Sequence, residues 1–167
     1  MKGVSVPALQ DSIDAVRVAA QAANDIKAMD IVAFDVSQPI AITDIFMVAT
    51  GGNERQVLAI AEEVEKQLHI QCGRDTRSRE GVEEAQWILL DYGDFVIHIM
   101  HKQARKYYDL ERLWKDCPQV DLQLEHQFTL DDDQSEEEDS DSLMAGFDDA
   151  DMRSRFARQE EDEGNRS

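Results

Sequence analysis

Three polar residues stand in a segment that otherwise reads as core. Asp91, Asp94 and His98 interrupt Trp87-Ile-Leu-Leu-Asp-Tyr-Gly-Asp-Phe-Val-Ile-His-Ile-Met100, one of the most apolar stretches of the chain. Carboxylates and an imidazole are the groups from which general acid–base chemistry or a two-metal site is built. Phosphoryl or nucleotidyl transfer on two ions requires carboxylates on one face, typically at i and i+2 of a strand. Asp91 and Asp94 straddle a turn instead, and Asp30 and Asp35, at odd spacing, point to opposite faces of their strand. Gly51-Gly52 ahead of a helical pattern could bring a phosphate to a helix N-terminus. No Lys or acidic partner accompanies them, and a tight strand-to-helix turn explains the pair equally well. No Ser and His share a nucleophile context, and Cys72 and Cys117 lie too far apart for a C-x-x-C or Cys/His metal spacing.

The elements that would position these groups are legible from periodicity. Leu9, Ile13, Val16, Ala20, Ala23 and Ile26 recur at helical spacing, which predicts a helix over residues 8–28 with Pro7 near its start. Ile31–Phe34 and Ile45–Ala49 are short apolar runs of the kind covered on both faces, joined by the Pro-containing connection 37–43. Val57, Ile60, Ala61, Val64 and Leu68 form a helical stripe, opened by Asn53 and Gln56 in a capping-box arrangement. Residues 72–85 read as a loop with one short strand. Residues 103–114 read as a last helix or helix pair with Tyr107, Leu110, Leu113 and Trp114 on its apolar side, ended by Pro118.

Gly93-Asp94 between two apolar runs is the signature of a type II′ hairpin turn, and the turn sets the register. Trp87 then pairs with Met100, Ile88 with Ile99, Leu89 with His98, Leu90 with Ile97 and Asp91 with Val96. Alternation puts Ile88, Leu90, Tyr92, Phe95, Ile97 and Ile99 on a core face. The opposite face holds Trp87, Leu89, Asp91, Val96, His98 and Met100. Either the terminal helices cover that second face, as in a three-layer domain, or another protein does. A Trp among Leu, Val and Met with a few polar groups matches an interface core, with Asp91 and His98 setting orientation.

The formal net charge of −19 is unevenly spread. Residues 131–167 hold 15 Asp or Glu against 4 Arg, a net of −11, which leaves −8 for residues 1–130. Such a body is repelled by bare nucleic acid and anionic membranes, so a protein partner fits better. From Asp131 onward the chain has too little apolar content to offset the entropy of ordering it, and residues 131–167 are expected to be disordered. Residues 1–118 are expected to form the domain and 119–130 a linker. No apolar run approaches a membrane span, and the first residues carry neither a signal core nor an Arg-rich transit pattern, so a cytoplasmic protein is expected.

Taken together, KAMDIVAFDVS (27–37), ITDIFMVATGGNERQVLAIAEEV (42–64), EG (80–81), the hairpin and ARKYYDLERLW (104–114) closely resemble the ribosomal silencing factor family, also called Iojap-like. The resemblance covers about residues 8–118. It departs from the family at Ile40-Ala41, where a Ser pair is usual, and at Gly51-Gly52, where one glycine is commoner. It implies an α/β fold: a mixed β-sheet flanked by helices, similar to nucleotidyltransferases but without their catalytic carboxylates. It also implies an activity without chemistry and without a cofactor. Family members bind the large ribosomal subunit through its universal ribosomal protein fourteen and hinder joining of the small subunit when nutrients are short. The resemblance maps the contact surface to Trp87 and its strand neighbours Leu89, Asp91, Val96, His98 and Met100, with Tyr108, Glu111 and Leu113 of the last helix beside them. An assembly factor acting at the same surface of the large subunit, and a nucleotidyltransferase-like enzyme using Gly51 and Gly52, are the alternatives. Oligomeric state stays open between monomer and weak homodimer.

Overall fold

The Gln10–Asp25 helix (α1) carries Ala15, Ala19, Ala20, Ala22 and Ala23 among its buried residues. So much alanine on one face lets the Glu54–Cys72 helix (α2) approach it closely, since neither backbone is held off by long side chains. α2 begins as its sequence requires: the Asn53 side chain accepts from the Gln56 N–H at 2.8 Å. Gln56 reaches back one residue further than an ordinary capping box, its Oε1 accepting from the Gly52 N–H at 2.7 Å. Gly73 in the left-handed region closes the helix. The computed structural model describes residues 9–129 apart from 39 and 41. The expected tail, 131–167, lies outside the described residues.

Between the helices and the far side of the molecule runs one five-stranded mixed sheet. Its strands are Met29–Asp35 (β1), Ile45–Gly51 (β2), Ser78–Glu80 (β3), Trp87–Asp91 (β4) and Phe95–His101 (β5), in the order β1-β2-β5-β4-β3. β2 and β5 are parallel neighbours, and every other pairing is antiparallel. Every residue of β2 and of β5 is buried, as expected of central strands covered on both faces. The hairpin register is the one its turn dictates, from Trp87 opposite Met100 to Asp91 opposite Val96. Gly93 takes the positive φ, +93°, that the first position of a II′ turn demands.

One face of the sheet packs on α1 and α2, burying Ile88, Leu90, Tyr92, Phe95, Ile97 and Ile99 with Val57, Ile60, Val64 and Leu68. The other face is covered by a helix pair, Lys102–Tyr108 (α3) and Glu111–Trp114 (α4). These two short helices do not form one continuous stripe. Asp109 adopts a left-handed conformation, φ 47°, and donates its N–H to the Arg105 carbonyl, so helical phase restarts there. As a result Leu110 and Trp114 turn inward as expected, while Tyr107 and Leu113, expected on the apolar side, turn outward; Tyr108 is buried in their place.

Residues 119–129 are not the linker expected of them. They run along the outer edge of β1, from beside Phe34, which Gln119 faces, to beside Met29, which Phe128 faces. The Val120 N–H donates to the Ala33 carbonyl at 2.9 Å, and the Phe128 carbonyl accepts from the Asp30 N–H at 2.8 Å. Leu122 is buried, and Val120 and Leu124 pack against the α1–α2 core. The physical reason is twofold: an edge strand leaves backbone groups to satisfy, and Val120, Leu122 and Leu124 alternate with polar residues so that one side of the strap is apolar.

Candidate interaction site

The three polar residues of the hairpin are each explained by a hydrogen bond inside the chain. Asp91 Oδ1 accepts from the Gly93 N–H at 2.8 Å, an Asx turn that holds the hairpin loop. Asp94 accepts from the Ser12 hydroxyl at 2.6 Å and pairs with Arg74, tying the hairpin tip to the start of α1 and the end of α2. Burial pushes the Asp94 carboxyl up, but the hydrogen bonds from Arg74 and Ser12 outweigh it and hold it below the usual carboxylate value. His98, inside the second face, accepts at Nδ1 from the Trp87 indole N–H at 3.0 Å. Its neighbours are aromatic: Phe46 meets the imidazole edge-on at 5.4 Å between ring centres. Burial drives the His98 pKa down to about 3, which keeps the ring neutral at any physiological pH.

None of these groups converges with another on an open space. Among the described residues no three His, Cys, Asp or Glu side chains gather as a metal set. The glycine turn is likewise filled: a Cβ on Gly51 would stand 2.9 Å from Val57 Cγ2, and the Gly52 amide is used by Gln56. That is the close strand-to-helix approach, not a phosphate cradle.

The nine residues expected at a partner surface divide between two depths. Trp87 is 1% exposed, and Val96, His98, Met100 and Tyr108 are buried with it. The Tyr108 ring rests on the Trp87 indole at 4.8 Å, and Trp114 packs edge-on against Phe46 at 5.2 Å. For these five residues the expectation of direct contact is corrected: α3 and α4 of the chain itself cover the four on the strands, and Tyr108 is the inward-facing part of that cover. Leu89, Asp91 and Glu111 are half-buried, and Leu113 is 57% exposed. Tyr107, absent from the expected set, is 61% exposed. The break at Asp109 that exposes it has no sequence signature beyond an ordinary Asp in a helical pattern.

Arg105 fixes how α3 and α4 sit on the sheet. Its guanidinium donates to the Glu111 carboxylate at 2.8 Å, to the Thr50 hydroxyl at 2.8 Å and to the Asp30 carbonyl. Asp30 can turn that carbonyl toward Arg105 because β1 is irregular there, with Asp30 at φ 45°. The α3–α4 exterior therefore presents Tyr107, Glu111 and Leu113 on a rigid base, with Lys106, Arg112 and Lys115 exposed around them.

The sequence model of the family described as "Ribosomal silencing factor during starvation" matches residues 9–146, which takes in the nine elements of the described residues and the strap. This chain belongs to that family. Ribosomal silencing factor RsfS of Bacillus subtilis is 42% identical over 106 residues, 64% of this chain and 89% of the relative. A crystal structure of a Chromobacterium violaceum protein, 39% identical, superposes with a TM-score of 0.58 over 61% of this chain and 84% of that one. A mouse relative, "Mitochondrial assembly of ribosomal large subunit protein 1", is 33% identical over 89 residues, 52% of this chain and 39% of its own length. The chain adopts a silencing-factor fold, a mixed sheet between two helical layers.

Proposed function

We propose that this chain represses translation by binding the large ribosomal subunit through universal ribosomal protein fourteen, so that the small subunit cannot join under nutrient limitation. The observation that carries the reading is the family match over residues 9–146. The partner meets Leu113, Glu111 and Tyr107 on the α3–α4 exterior, with Leu89 and Asp91 at its margin. Trp87, Val96, His98, Met100 and Tyr108 act from beneath, as the packed layer on which those helices rest. Occupying a surface requires shape and rigidity only, so no cofactor is invoked, and the protein acts in the cytoplasm.

Co-sedimentation with separated subunits tests the reading. The full chain should pellet with large but not small subunits and reduce joining of the two. Tyr107→Ala combined with Leu113→Ala should melt normally and lose most of that binding. Retention of full binding by this variant, or no preference for the large subunit, would overturn it. A role in large-subunit assembly is supported by the name of the mouse relative. The two are separated by the particle bound: mature subunits for silencing, precursor particles for assembly. Turnover of labelled nucleotide with a divalent metal would instead favour an enzyme.

A further inference from the structure

Within an acidic chain, residues 101–115 are basic: Lys102, Arg105, Lys106, Arg112 and Lys115 against Asp109 and Glu111 give a net of +3. Arg105 is engaged internally, whereas Lys106, Arg112 and Lys115 are exposed. Arg112 meets Asp109 only at 4.0 Å with both side chains largely in solvent, a pair too weak to neutralise it. Elsewhere, in the 74–79 loop, Arg74 pairs with Asp94 and Arg79 with Glu65, while the exposed Arg77 lies against the hairpin turn at Gly93.

The strap delivers the chain to this basic surface. An open groove is lined by Asp30, Val32, Arg105, Lys106, Glu111 and Gln127, so the end of the strap and α3 face each other across it. Gln127 Oε1 accepts from the Ile31 N–H at 3.1 Å and the Phe128 carbonyl accepts from the Asp30 N–H at 2.8 Å, so the end of the strap is held beside the groove that Gln127 lines. The sequence then continues as Asp131-Asp-Asp-Gln-Ser-Glu-Glu-Glu-Asp-Ser-Asp-Ser142, with eight carboxylates and no Lys or Arg.

We propose that the acidic run 131–142 docks on the exposed basic face of α3–α4 in its own molecule and competes there with the ribosomal partner. The competition rests on the reading that α3–α4 is the partner's contact surface; the docking itself does not. Twelve residues reach up to about 40 Å when extended, several times the roughly 10–12 Å width of a helix, so the run can cover α3–α4 from its exit point. Tethering gives it an effective concentration on the order of millimolar, enough for a contact made mostly of charge. Because the charges are exposed, the contact is screened over a Debye length of about 8 Å at physiological salt, and it weakens steeply as salt rises. The run is thus a built-in competitor that sets how readily the surface is yielded.

The test uses the full chain and a full-length variant in which the eight acids of 131–142 become Asn or Gln. Zero-length carbodiimide coupling of dilute protein, mapped by mass spectrometry, should join run carboxylates to Lys106 and Lys115 in the monomer, and the products should vanish at about 0.5 M salt. Coupling spread equally to Lys27 and Lys66, or none at all, would overturn the docking. In co-sedimentation the neutralised variant should bind large subunits about three- to tenfold more tightly at low salt, with the gap closing at high salt. Equal binding by both forms would overturn the competition while leaving the silencing reading in place. Binding by neither would remove that reading and the competition with it, and the coupling pattern would still decide the docking.

Discussion

The indole N–H of Trp87 donates to Nδ1 of His98 across the β4–β5 ladder, 3.0 Å apart and wholly inside the molecule. An indole nitrogen can only donate, so Nδ1 is unprotonated and the neutral ring carries its hydrogen on Nε2. A histidine in an apolar strand is here the acceptor that lets a tryptophan be buried without orphaning its N–H. In the unfolded chain His98 titrates near its ordinary value, 6.5, but in the fold only near 3. Its contribution to stability is complete above pH 6.5 and is lost as pH falls toward 3, because the unfolded state takes up the proton first. His101, at the start of α3, is pushed down to about 4 by burial and by Lys102, and acts in the same direction. Thermal melts between pH 7 and pH 4 should therefore show a steady loss of Tm, with a total effect on the order of several kcal/mol. His98→Gln, whose side-chain oxygen can still accept from Trp87, should flatten part of that slope; an unchanged slope would mean that His98 is not the group being titrated.

Trp87 and Leu113 separate support from contact. Trp87→Ala removes a side chain under Tyr108 and should destabilise the fold by about 3 to 5 kcal/mol. Ile97→Ala, on the α1–α2 face of the same hairpin, should cost about 2 to 5 kcal/mol. Leu113→Ala, at a side chain 57% exposed, should stay within about 0.5 kcal/mol of the unchanged protein. Urea titrations followed by tryptophan fluorescence give all three values, and binding of each variant should be compared per folded molecule. A marked loss for Leu113→Ala alone in that comparison is the expected outcome.

Truncation distinguishes the strap from the acidic run beyond it. Ending the chain after residue 130 keeps Leu122 and the hydrogen bonds to β1 and should change Tm little. Ending it after Pro118 removes Leu122, Val120 and Leu124 from the core and frees the Asp30 and Ile31 amides. A loss of even about 2 kcal/mol would lower Tm by roughly 10 °C in a domain of this size. Similar melting of the two truncated forms would mean that the strap contributes nothing to folding.

The hairpin is legible in the sequence because Gly93-Asp94 restricts the turn to one geometry and alternation does the rest, residue by residue. The α2 stripe and its Asn53 cap are legible for the same reason, a local rule with no competitor. The cover over the second hairpin face is not, because a Trp ringed by Leu, Val and Met looks alike under a helix and under a partner. Deciding between them requires the path of residues 102–114, and that path depends on the left-handed turn at Asp109. The strap escapes a reading of the sequence although Val120, Leu122 and Leu124 alternate in it. Their neighbours are polar, and the free edge of β1 that they satisfy is a tertiary fact.

Arg105 is where fold and proposed contact surface meet, and it gives the sharpest single substitution. Its guanidinium bridges α4 at Glu111, β2 at Thr50 and the irregular β1 backbone at Asp30. Arg105→Gln cannot span all three and leaves the buried Thr50 hydroxyl and the part-buried Asp30 carbonyl without that donor, which should cost about 2 to 4 kcal/mol. Glu111 is half-exposed and can turn to water, so Glu111→Gln should cost about 1 kcal/mol or less. If α4 is held in place through Arg105, hydrogen exchange should speed up across residues 109–114 in Arg105→Gln at temperatures where the rest of the sheet remains protected. Binding to large subunits should then fall more than the folded fraction does. Exchange that accelerates uniformly over the domain would show Arg105 to be a general stabiliser and not the group that positions α4.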